Sequence, residues 1–187
     1  MYRKLYHISG LVFPLIMALW SRQAALLVSG SFLLLIVIFD AARLASEAFN
    51  RLVFRLIPFM FKPREVSTLS GSPYFMAGVF LSLLLFDPHA AAGGIIYLSL
   101  GDMTAALAGE RYGKTVMFGK TLEGAAAFAA ATFLAVSALS LAGVLELSLA
   151  GIAAGALICA AVELIPLGID DNLLIPLAGS VTLALLG

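Results

Sequence analysis

Between Gly109 and Gly124 the chain carries two Gly-Lys-Thr triplets, at 113–115 and 119–121, with Glu110 and Glu123 beside them. Lysine ammonium groups and the backbone amides of a glycine-rich turn suit a polyanion such as a nucleotide phosphate. Neighbouring carboxylates suit a hard divalent cation. The spacing is not that of a Walker A loop, which needs a glycine five positions before the glycine of Gly-Lys-Thr. Lys114 and Ala108 stand there instead, and an apolar helical run precedes the triplets where a strand would be required. What remains is the chemistry of the residues. Gly113 and Gly119 allow close backbone approach, Lys114 and Lys120 bring charge, and Thr121 brings a hydroxyl. Thr121 is also placed to begin a helix with Glu123 in its first turn, where free N–H groups face an anion. The plainer alternative makes both lysines simple loop charges. It serves for Lys114 and accounts poorly for the whole cluster from Gly119 to Gly124.

Other carboxylates sit where they are costly. Asp102 follows Gly101 within the apolar run from Ile95 to Ala108. A carboxylate in mid-bilayer costs about 2.5–3.5 kcal/mol on insertion scales, so it faces either a cavity or an ion-pair partner. Glu163, just before Ile165-Pro166, poses the same choice. Asp170-Asp171-Asn172 reads either as a helix N-cap or as a metal ligand set. His7 shares a helix face with Lys4 and is either an interfacial or a catalytic histidine. Asp40 with Arg43 stands at a helix exit, a functional candidate. Gly94, Gly101, Ala105 and Ala108 form a small-residue stripe that fits helix packing.

The elements that position these groups are membrane helices. The chain of 187 residues is 62% hydrophobic and 12% charged, against roughly 45–50% and about 25% for a soluble domain. Seven apolar segments emerge, at 6–21, 24–42, 73–88, 90–108, 125–146, 148–167 and 172–187. The expected fold is all-α: one polytopic bundle over 1–187, with about seven transmembrane helices and one amphipathic helix at 41–62 lying in the headgroup region. On that helix Glu47, Arg51 and Arg55 fit solvated i,i+4 ion pairs equally well. Pro58 is expected to end or kink it, and Asp87-Pro88-His89-Ala90 to form a tight turn. With the N-terminus inside, ten of the eleven basic residues fall in inner loops and only Arg22 outside. The positive-inside rule then places the N-terminus and the polar chemistry on the cytoplasmic side of a membrane, a prokaryotic plasma membrane being the expectation. Balanced charge gives no signal for a nucleic-acid partner. One cysteine, Cys159, excludes an internal disulfide, and with two histidines it is too little for a zinc cage. Arg3-Lys4 and the apolar run after them outline a signal peptide, but no small-x-small cleavage site follows, so the segment is expected to be retained.

In this order the motifs resemble the CTP-dependent polyprenol kinases, the group of dolichol kinase, phytol kinase and the CTP-type diacylglycerol kinase. The resemblance runs almost end to end. It is carried by Arg3-Lys4-x-x-His7, Asp40-x-x-Arg43, Glu65 with Ser70-Gly71, and Gly101-Asp102-x-x-Ala105-Ala106-x-x-Gly109. Gly113-Lys114, Gly119-Lys120-Thr121-x-Glu123-Gly124, Glu163 and Asp171-Asn172-x-x-x-Pro176 continue it. Thr121 stands where the family often has serine, and 67–73 matches only loosely. The resemblance implies Mg²⁺-dependent transfer of the γ-phosphate of CTP to the hydroxyl of a membrane lipid alcohol. Arg3, Lys4, Arg43, Lys114, Gly119, Thr121, Glu123, Gly124 and Asn172 would then contact nucleotide. Asp102, Glu123, Glu163 and Asp171 would hold Mg²⁺, and Asp102, Lys120, Asp40 and His7 would serve the chemistry, with Asp40 or His7 as base. A lipid cytidylyltransferase making a CDP-lipid and a small transporter using Asp102 and Glu163 are the competing readings.

Overall fold

The computed structural model describes residues 6–187, so Arg3 and Lys4 lie outside the described residues. Eight helices account for nearly all of it. They are α1 (Tyr6–Leu19, with a 3-10 turn at Ser9–Leu11), α2 (Arg22–Ala45), α3 (Glu47–Leu56), α4 (Gly71–Leu85), α5 (Pro88–Tyr112), α6 (Leu122–Leu141), α7 (Leu149–Leu164) and α8 (Asp171–Leu186). A two-stranded hairpin, β1 (Val116–Met117) and β2 (Lys120–Thr121), is the one departure from helix and turn among them.

Each of the seven apolar segments corresponds to a helix. Three of these helices, α2, α5 and α6, are long and apolar enough to cross a membrane, and α1, α4, α7 and α8 are shorter. At 1.5 Å per residue a 16-residue helix spans about 24 Å, under the roughly 30 Å of a hydrocarbon core. The outer face of α2 carries an exposed apolar row, including Leu27, Leu34, Leu35 and Ile38. In water such a face would be an aggregation site; in lipid it is solvated.

Two boundaries differ from the sequence reading. The amphipathic helix begins at Glu47, because Ser46 leaves helical geometry and its side chain accepts a hydrogen bond from Phe49 N. Arg43 therefore belongs to the last turn of α2. The helix also stops at Leu56, ahead of Pro58. Its exposed Glu47 and Arg51 pair at 3.1 Å, the solvated i,i+4 bridge. Pro88 does not close a helix; it opens α5 at the first helical position, with Asp87 as N-cap accepting from His89 N and Ala90 N.

Helix α5 lies at the centre and packs against α1, α4, α6, α7 and α8. It is lined with small residues, and a Cβ added at Gly101 would collide with the Phe128 ring of α6. Close backbone approach of this kind is how helices associate where the surrounding lipid is as apolar as their side chains. At one end of the bundle, Arg22 donates to the carbonyls of Leu83 and Leu84, and His89 Nδ1 accepts from Glu146 N. His7, Asp102, Lys120, Glu163 and Asp171 lie at the opposite end.

Candidate functional site

A cavity of about 340 Å³ opens at that end, where α1, α5, the hairpin, α6, α7 and α8 meet. The two-residue turn Phe118-Gly119 has φ of 52° and 80°, the left-handed geometry that a tight hairpin requires. It turns the strand back so that Lys120 points under the bundle. Thr121 then caps α6, its hydroxyl accepting from Gly124 N at 3.1 Å. Gly124 has no Cβ because Ala105 O and Thr121 Oγ1 occupy that space, 2.7 and 2.9 Å from where one would be. The glycine is thus explained by the close approach of α6 to α5.

Half-buried Lys120 is the centre of the arrangement. Its Nζ lies 2.8 Å from Glu163 Oε1 and 2.7 Å from Asp171 Oδ2, and it also donates to the Glu163 carbonyl oxygen. Burial works to lower its pKa, but the carboxylates of Glu163 and Asp171 overcome that penalty, so the net direction is upward and the ammonium stays charged. Asp170 N-caps α8, its Oδ1 accepting from the backbone N and side-chain Nδ2 of Asn172 at 3.1 and 2.7 Å. The Asp170-Asp171-Asn172 run therefore divides its labour: the first residue caps the helix and the other two line the cavity. Across the cavity His7 Nδ1 sits 2.9 Å from Asp102 Oδ2, and the imidazole stacks on Phe75 with ring centroids 5.1 Å apart. Asp102 thus faces both the cavity and the imidazole of His7.

His7, Asp102, Gly119, Lys120, Thr121, Gly124, Glu163, Asp171 and Asn172 all line this one cavity. Asp40 and Arg43 do not. Arg43 is fully buried, and its guanidinium donates to Asp40 Oδ1 at 2.8 Å, to Glu65 O at 2.6 Å and to Thr68 O at 2.9 Å. The second Asp40 oxygen accepts from Ser70 N at 2.6 Å. Besides the Arg43–Asp40 pair itself, the short bonds of these two side chains tie the end of α2 to the 62–70 loop. That geometry is a structural clamp, and it holds Asp40 and Arg43 outside the cavity. Lys114 is exposed outside the cavity, and the Glu123 carboxylate turns away to accept from Thr115 N.

Lys62 also lines the cavity, and the sequence reading had counted it only as an inner-loop charge. Its backbone N donates to Glu65 Oε2 at 2.8 Å, and Glu65 is held in turn by Arg43. The clamp thereby fixes the loop that delivers Lys62. Nothing local in Phe-Lys-Pro-Arg marks this lysine out, because its role depends on a contact made across the chain.

For a metal ion, Asp102, Glu163 and Asp171 offer oxygen ligands on one cavity, and the buried Glu163 Oε2 has no hydrogen-bond partner. Among the described residues no group of three His, Cys, Asp or Glu is arranged to hold an ion unaided. That donor set fits Mg²⁺, which is usually held by one or two carboxylates together with substrate phosphates and water. Glu123 is outside this set.

Comparison with known proteins adds a partial likeness. The chain is 28% identical over 129 residues to an uncharacterised protein of Rickettsia prowazekii, covering 67% of this chain and 63% of that one. It is 32% identical over 75 residues to CTP-dependent diacylglycerol kinase 1 of Schizosaccharomyces pombe, covering 40% of this chain and 34% of the kinase. The aligned region thus spans less than two thirds of either relative. No protein-family profile matches the chain, and no solved structure does.

Proposed function

We propose that this protein is a membrane-embedded lipid kinase that transfers the γ-phosphate of CTP to the hydroxyl of a lipid alcohol. One observation carries the reading. Two lysines, Lys62 and Lys120, and four carboxylates, Asp102, Glu110, Glu163 and Asp171, line a single cavity at one end of an apolar helical bundle. The cavity is of a size for a small-molecule ligand. The likeness to a CTP-dependent diacylglycerol kinase supports CTP as donor and a lipid alcohol as acceptor.

In this reading α1, α4, α7 and α8 cross the bilayer together with the three long helices. The cavity end faces the cytoplasm, in keeping with the distribution of Lys and Arg. Lys62 and Lys120 neutralise the phosphates. Asp102 and Asp171 are the residues to hold Mg²⁺, which supplies neutralisation of the charge on the phosphates. His7 fixes the Asp102 carboxylate in place. In the transfer, the acceptor oxygen bonds to the terminal phosphorus and the bond from that phosphorus to the bridging oxygen breaks. CDP leaves with the electrons of that bond, and the hydroxyl proton passes to Glu163, whose Oε2 has no other partner. Phosphoryl transfer depends chiefly on such positioning and electrostatics.

The test is product analysis with purified protein, labelled CTP, Mg²⁺ and a panel of lipid alcohols. Lipid phosphate with CDP supports the reading. CDP-lipid with pyrophosphate would make the protein a cytidylyltransferase, and transfer to no lipid would reject both.

A further inference from the structure

A second cavity, of about 1200 Å³, adjoins the first and is bounded by the hairpin tip, the 62–69 loop and the 164–169 turn. Lys62, Lys120, Glu163, Leu164 and Asp171 line both cavities. Away from that shared wall the second cavity is lined by five large apolar side chains, Leu69, Phe118, Ile165, Leu167 and Ile169, with Arg64, Thr68 and Asp170 as its polar part. These side chains are exposed, and water alone would be a poor covering for five large apolar groups close together.

Phe118 is the most informative of them. It is the one non-glycine residue with positive φ among the described residues, and it stands at a turn position where Asn, Asp or Gly is preferred. A bulky side chain there strains the backbone. It is also 65% exposed, so packing within the bundle does not offset that strain. What distinguishes it is its place in the wall of the second cavity.

We infer that the second cavity binds the acceptor, resting on the function proposed above. The lipid alcohol lies with its first carbons between Phe118 and the Ile165–Ile169 turn and its hydroxyl at the shared wall beside Lys120 and Glu163. The occupant is a lipid alcohol because the cavity joins the phosphate-binding cavity directly: whatever fills it presents its head to Lys120. Glu163 then reaches the hydroxyl from the acceptor side, and Lys62 and Lys120 flank the phosphoryl group on both sides of its transfer. Phe118 and Ile169 become determinants of acceptor choice.

The experiment uses the full chain in detergent micelles, with geranylgeraniol and dioleoylglycerol as acceptors and Phe118→Asn as the main variant. Asn relieves the left-handed turn while deleting the ring, so loss of folding is not the expected outcome, and melting temperature checks this. The expected result is an acceptor KM raised about tenfold or more, from the lost apolar contact, with the KM for CTP unchanged. Ile169→Asp should act in the same direction. A diazirine placed near the hydroxyl of geranylgeraniol should label the hairpin tip and the 165–169 turn in the wild type. An unchanged acceptor KM, a raised KM for CTP instead, or labelling confined to the lipid-facing side of α2 would each overturn the assignment while leaving the kinase reading intact. A wild-type protein that phosphorylates no lipid alcohol would overturn both.

Discussion

Lys120 and Asp171, 51 residues apart in the chain, meet at 2.7 Å and join the hairpin to the first turn of the last helix. Glu163, from a third element, closes on the same ammonium. The lysine is therefore held in place before any ligand arrives, at a point that both cavities share. A preorganised charge of this kind avoids the cost of reorganisation during reaction.

Replacing the ends of this arrangement should stop turnover without unfolding the bundle. Lys120→Ala and Asp102→Asn are each expected to lower kcat by about 100-fold or more, the usual scale for a lost electrostatic stabiliser. Expression and membrane insertion should be as in the wild type. Near-normal activity in either variant would reject the site.

Chelation gives a separate check on the carboxylates. Excess EDTA should abolish lipid phosphorylation, and added Mg²⁺ should restore it. Asp171→Asn should need several times more Mg²⁺ for half-maximal rate. A variant with an unaltered Mg²⁺ requirement would remove Asp171 from the ligand set.

The Asp40–Arg43 clamp should behave differently. Arg43→Ala leaves a buried carboxylate and several loop carbonyls without their donor, a loss of about 3–5 kcal/mol when one partner of a buried pair is removed. Thermal unfolding in detergent should show a clear fall in Tm. If the variant melts like the wild type and only its KM for CTP rises, Arg43 is a nucleotide contact after all.

Lys62→Ala tests a residue that only the folded chain brings to the site. Loss of one charged phosphate contact should raise the KM for CTP about tenfold or more. The wild-type KM should rise more steeply with salt than that of the variant, because screening acts on the charge removed. Equal salt dependence would place Lys62 away from the phosphates.

The raised pKa of Lys120 has a signed consequence. A group whose folded pKa exceeds its unfolded value, about 10.4 for lysine, stabilises fully below the unfolded value. That contribution is lost as pH rises through the folded pKa. Tm of the wild type should therefore fall in the alkaline range above about pH 10 by more than that of Lys120→Met. Parallel profiles would show that the ion pairs with Glu163 and Asp171 do not hold in solution.

Much of the site was legible one residue at a time. An aspartate inside an apolar helix or a lysine after a glycine in a greasy chain announces itself, because lipid makes charge expensive. Asp102, Lys120, Glu163 and Asp171 were all visible on that ground. The same reasoning did not show that Asp40 and Arg43 lie outside the cavity. A motif at a helix exit has the same letters whether its carboxylate faces a ligand or a guanidinium, and here the 62–70 loop folds over it and takes up its bonds. Lys62 was missed for the converse reason, having an ordinary neighbourhood in sequence and a special one in space.

Composition and periodicity alone determined that this is a helical, membrane-associated chain with an amphipathic helix after α2, and that Thr121 could begin a helix. These are local matters, settled by the cost of burying backbone and charge in lipid and by which side chain caps the next turn. Only the tertiary structure decided that His7, Asp102, Lys120, Glu163 and Asp171 share one cavity, that Arg43 is sealed away from it, and that a second cavity shares a wall with the first. Those facts depend on how closely α5 lets its neighbours approach, and that is a property of packed surfaces that no single stretch of residues contains.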